Sequence, residues 1–176
     1  MLTTDKAVGF HPNMSAEAEV LGLISSIITT LDLIASDAKD GEGLPEEFRE
    51  ISRRLPTVQT ALRIAKDHIN RRGLDERSSR AIKGPIQGCD EKAQRLGTVL
   101  QQVVLHDTAK RRECYRALGK GYQVESLITG ILRDIRPLAE NPTVSVTTEV
   151  EVEMLAKANC RGAVSNNAGI TVRGRA

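Results

Sequence analysis

Residues 44–69 read LPEEFREISRRLPTVQTALRIAKDHI. Pro45 stands where a helix begins, at a position whose missing N–H costs nothing. Glu46 and Glu47 follow, in the first turn where the helix dipole favours acids. From there Phe48, Ile51, Leu55, Val58, Leu62, Ala65 and Ile69 recur in alternating steps of three and four. That spacing lays one continuous apolar seam along an α-helix. A second proline, Pro56, stands just off the seam and removes the hydrogen bond to the carbonyl of Ser52. The rhythm runs through it in phase, so the sequence predicts a kinked helix and not two helices.

The same signal recurs downstream. Over residues 75–105 the seam is Ile82, Ile86, Cys89, Ala93, Leu96, Leu100 and Val103, with Pro85 after Gly84 as a second expected kink. Cys89 sits on the seam and reads as a small core hydrophobe. Asp107 or Thr108 is expected to cap a helix reaching about Leu118, and Gly119-Lys120-Gly121 is a weak point after it. Val124, Ile128, Ile131 and Ile135 form a further seam that Pro137 and Asn141-Pro142 are expected to close. Residues 148–158 read as one more helix, because Thr148 and Glu151 make a capping box and a lone strand would have no partner.

Upstream, Ser15 is an N-cap residue with Glu17 and Glu19 in the first turn behind it. The apolar residues from Val20 to Ile34 then cover most of the helix circumference, which predicts the central helix of a bundle. The run falls short of the roughly 20 residues a membrane span needs, and Asp32 interrupts it. Ala18, Gly22, Ser26 and Thr30 fall at every fourth position and form a ridge of small residues, against which another helix could approach closely. The helix ends in the turn SDAKDGEG.

Composition agrees with a helical domain. Aromatic residues make up 2% of the 176-residue chain and Trp is absent, so the core must be aliphatic. A formal net charge of +2 gives no argument for nucleic acid. The three cysteines, Cys89, Cys114 and Cys160, are odd in number and lack CxxC spacing. They predict reduced thiols in the cytosol, not disulfides or zinc. The N-terminus lacks the apolar core of a secretory signal. His11, His68 and His106 stand in unrelated settings, and no nucleophile elbow, zinc helix or phosphate loop occurs. Gly119-Lys120-Gly121 lacks the residues a phosphate loop requires before its lysine. The expectation is no catalytic residue, no metal and no cofactor. Basic pairs and triplets at Arg53-Arg54, Arg71-Arg72 and Lys110-Arg111-Arg112 read first as solvated helix surface.

The opening stretch with its preceding glycine resembles the signature of the SesA-type domain. That domain lies at the N-terminus of fungal NACHT and other P-loop NTPases of the NOD-like receptor class. EVLGLISSII, GCDEKAQRL and YRALGKGYQVESLITGILRDIRPLAEN agree in order with the same family, over roughly residues 16–158. The resemblance makes Pro56 a family feature. It implies a non-enzymatic signalling or effector domain in innate immunity, heterokaryon incompatibility and programmed cell death. Its expected partners are similar helical domains on NACHT receptors, or itself, with no nucleic acid. The chain departs from such receptors in lacking a NACHT module, and is expected to be a stand-alone partner or a fragment. Two other readings stay open: a membrane-active effector using the first helix, and a binder of acidic partners through the Arg clusters. The fold expected is an all-α bundle of five to six helices: a flexible N-terminus over 1–14, a helical domain over 15–158 and a disordered tail over 159–176 outside the family pattern. Localisation is expected to be cytoplasmic, with recruitment to a membrane on activation as an option.

Overall fold

The computed structural model describes residues 15–118, 123–142 and 144. Helix α1 spans Ala16–Asp40, and the Ser15 hydroxyl accepts a hydrogen bond from the Ala18 amide at 3.2 Å. Helix α2 spans Glu46–Arg72 and runs unbroken through Pro56. It stops at Gly73, whose φ of 73° turns the chain and whose amide donates to the Ile69 carbonyl at 2.8 Å. A left-handed residue with no Cβ is the ordinary way to end a helix. Helix α3 spans Glu76–Val104, again without a break at Pro85, and the Asp75 carboxylate caps it by accepting from the Ser78 amide at 2.9 Å. A short helix α4 (Arg111–Ala117) and helix α5 (Val124–Glu140) follow.

α1 packs on α2 and α3, and α5 packs on α3 and α2. The four long helices therefore form a ring in the order α1, α2, α5, α3. Their directions follow from paired contacts. Asp32 meets Gln59 and Arg63, while Glu17 accepts from the Leu74 amide at 3.1 Å, so α1 and α2 are antiparallel. Glu19 meets Lys83 near both helix starts, and Gly97 lies against Thr30 and Ile34 further on, so α1 and α3 are parallel. Gly88 lies by Asp134 and Gly130 by Lys92, so α5 runs back along α3.

The three downstream seams are buried throughout, at 4% exposure or less. α1 departs from expectation: it is a peripheral helix, not a central one. Its true seam is Val20, Ile24, Ile27, Leu31, Ile34 and Ala38, stepping by four and three, and only that face is buried. Leu21, Leu23 and Ile28 are partly buried, and Leu33 is 61% exposed. Pro137 does not close α5, which continues to Glu140 because Leu138 and Ala139 bury themselves in the last turn. Neither Asp107 nor Thr108 caps α4; it begins after Lys110 with no side-chain cap. Five helices and no strand occur among the described residues. The expected helix over 148–158, the two termini and Gly119-Lys120-Gly121 lie outside them.

Candidate functional site

The described residues offer no cluster of His, Cys, Asp and Glu able to hold a metal. Three side chains have displaced proton affinities, and each has a structural cause. The Ser78 hydroxyl and amide, bonding to Asp75, hold that exposed carboxyl below its usual range. Burial pushes the Cys89 thiol up to about 12, and the Asp134 carboxylate nearby adds to it. Burial likewise raises Tyr115, whose hydroxyl accepts from the Val124 amide at 3.1 Å. None of the three faces a shared cleft, so they assemble no acid–base pair.

The basic clusters are largely engaged. Arg53 and Arg54 both pair with Glu50, and Arg71 pairs with Asp67. Arg111 does more than coat a surface. Its guanidinium donates to the carbonyls of Glu42 in the α1–α2 loop, of Val104 at the end of α3, and of His106. The last carbonyls of a helix lack partners within it, and Arg111 supplies one for Val104. Beside it, Gly43 (φ 71°) lies directly against Thr108, so no side chain fits there. Tyr115 sets its ring edge-on to Phe48, with centroids 5.3 Å apart. α4 thus fastens three chain connections over one end of the bundle.

On the α3–α5 side, Lys92 bonds the Asp134 carboxylate at 2.5 Å and the Gly88 carbonyl at 3.1 Å. Its stem crosses Gly130, where a Cβ would come within 2.6 Å of the Lys92 Cδ. This is a packed ion pair at a close helix crossing.

A further candidate is the outward face of α1. Ala18 and Gly22 are exposed, while Ser26 and Thr30 are half-buried. A Cβ on Gly22 would meet nothing within 4 Å. The ridge therefore does not serve packing inside this bundle at Gly22, while at its far end Thr30 lies beside Gly97 of α3. The hydroxyls of Ser25 and Thr29 turn back to their own helix, donating to the carbonyls of Leu21 at 2.7 Å and Ser25 at 3.0 Å. No charged residue occurs between Glu19 and Asp32. Both of these end charges are paired across helices, Glu19 with Lys83 and Asp32 with Arg63. The apolar run taken whole predicts burial for Leu33; its position off the four-and-three seam is the signal that it points outward. By length and composition Ala16–Lys39 is also long and apolar enough to cross a membrane, longer than the apolar run alone suggests, because Gly, Ala, Ser and Thr extend it.

The family described as SesA, the N-terminal domain on NACHT NTPases and P-loop NTPases, matches residues 22–138. That stretch runs from the α1 ridge to the last turn of α5. No curated protein and no solved structure matches the chain.

Proposed function

The chain belongs to the SesA family of N-terminal domains on NACHT and P-loop NTPases, and on that premise we propose that it is a non-enzymatic signalling domain acting by association with similar helical domains. The pathway we assign to it is that of the fungal receptors it resembles: innate immunity or heterokaryon incompatibility, ending in programmed cell death. One observation carries the reading. From Val20 to Leu31 the outward side of α1 carries small and apolar side chains and no charge, and exposed Leu33 follows just past the Arg63-paired Asp32. Soluble surfaces ordinarily intersperse charge; an uncharged helix face beside an exposed leucine is what an interface requires.

Gly22→Leu tests it. The open space around Gly22 means the substitution enters no packed contact, so helix content and melting should be retained. Capture of a receptor-borne copy of the domain, and toxicity on overexpression, should fall together. Full capture and full toxicity in the folded variant would remove the α1 face from the mechanism.

A second reading, direct action on a membrane, is favoured by the length of α1 and by the burial of only 28% of its apolar window. Leakage from liposomes by the purified chain, abolished by a charge at Leu33, would support it over association.

A further inference from the structure

We propose that two copies of this chain pair through α1 in antiparallel orientation, each seating Leu33 in a notch formed by Gly22, Ser25, Ser26 and Thr29 of the other. The inference rests on the association reading above and specifies its partner and geometry.

The spacing comes first. Residues i, i+3, i+4 and i+7 frame the hole that receives a knob in helix packing, and here those positions are Gly22, Ser25, Ser26 and Thr29. All four are small, and the space above Gly22 is empty. Covering this hole strands neither the Ser25 nor the Thr29 hydroxyl, since each already donates within its own helix. The knob lies on the same helix. Leu33, at 61% exposure, follows Gly22 by eleven residues, about three turns, and so shares its direction from the axis.

A face carrying both a knob and a hole is complementary to itself only in one sense. In parallel pairing Leu33 would meet Leu33 and the notch would meet the notch. A two-fold axis near Thr29 instead fills both notches at once, the isologous arrangement that closes on a dimer. Charge does not oppose the same partner. The stretch between Glu19 and Asp32 carries no charge, and both of those are paired. Exposed Asp37, one turn beyond Leu33, falls opposite Leu21 and Gly22 of the other copy and so meets no like charge. On the adjoining edge of α3, Gln94 and Gln101 stand three before and four after Gly97, which lies beside α1, and both are exposed.

The area sets the strength. A 25-residue helix is roughly 37 Å long, and two neighbouring helices are roughly 20 Å across. The face is therefore roughly 700 Å² per copy, just under the ~800 Å² per partner of a standard stable interface. Such pairing is weak for the free chain and strengthens when copies are held together, as clustered NTPase modules would hold them.

Sedimentation equilibrium over a wide concentration range tests the dimer. The parent chain should pass from monomer to dimer, and Leu33→Asp should stay monomeric with unchanged helix content and melting temperature. Orientation is read by oxidation in a Cys114→Ser, Cys160→Ser background. The two-fold axis brings Gly22 of one copy near Ser36 of the other, and both positions are exposed. Mixed Gly22→Cys and Ser36→Cys chains should therefore cross-link to each other, and neither to itself. A parent dimer untouched by Leu33→Asp, or Gly22→Cys cross-linking to itself, overturns this geometry and leaves the association reading standing. A parent monomeric at every concentration that still captures the receptor-borne domain and kills also overturns it, since the partner is then a different surface. A monomer that neither captures nor kills sinks both.

Discussion

Cys89 shows how far a single residue can be read from spacing. Its place on the α3 seam identifies it as core, and the side chain is wholly enclosed. Enclosure raises its thiol from an ordinary 9.0 to about 12. In the unfolded chain the thiol ionises above about 9, while the folded one holds its proton. The native state is thus favoured fully below the unfolded value and loses that advantage as pH climbs toward 12. Urea midpoints should fall across that window, with a slope from this group approaching about 1.4 kcal/mol per pH unit. Tyr115, also raised, adds a loss that begins above its ordinary value of 10.0, inside the same window. Cys89→Ala lowers stability at neutral pH but should flatten the slope, and an unchanged slope would mean that the thiol is not the source. Arg111, by contrast, was not legible. It sits in a basic triplet, and its partners are backbone carbonyls, one of them 69 positions away. Nothing in the pattern of side chains marks a carbonyl that lacks a donor.

Among the elements, the seams of α2, α3 and α5 were legible because each is written among charged neighbours. The buried faces are wider than the seams: Val99 in α3 and Leu127, Gly130 and Leu132 in α5 are buried beside them. α1 was not legible, because apolar residues off its seam hid the seam itself. The ends of α4 and α5 were misjudged for a common reason. Proline and cap preferences are local terms of about 1–3 kcal/mol, and burial of Leu138 and Ala139, or the three bonds of Arg111, outweighs them in place. That makes α4 a fastening whose loss can be measured. Arg111→Ala should leave the three carbonyls without this donor and cost about 1–3 kcal/mol. Amide exchange should quicken together at residues 41–44 and 104–108, the two connections it joins, while the middle of α2 stays protected. Arg111→Lys should rescue little, since one ammonium cannot span three carbonyls as the guanidinium fork does. Exchange confined to one connection would show that the two are not held by this side chain. At the other end of the bundle, the Asp75 cap should weaken as pH falls through its lowered range, and the first turn of α3 should open before the rest.

At the scale of the whole molecule, the residues that make the fold and those that make the proposed contact separate cleanly. Leu62, in α2, and Leu96, in α3, are fully buried, on helices that share no extensive contact. Truncating either to Ala should cost about 2–5 kcal/mol. In a domain of this size each kcal/mol lowers the melting temperature by about 2–4 °C. Both side chains belong to one buried cluster, so the double variant should depart from the sum of the single losses. Leu33 is as apolar as either, yet most of its surface already faces water. Its replacement by Asp removes little burial and places a charge where solvent can hydrate it. Dilute Leu33→Asp should therefore melt within about 0.5 kcal/mol of the parent, as surface changes do. The contrast must shift with concentration. If α1 is an interface, the parent gains stability as it associates and the Leu33→Asp chain does not. Melting curves recorded across a hundredfold range of protein should then diverge for parent and Leu33→Asp, and stay parallel for parent and Leu62→Ala. Curves for Leu33→Asp that track the parent at every concentration would leave Leu33 as one more exposed leucine, and the neutral face of α1 without a role in pairing.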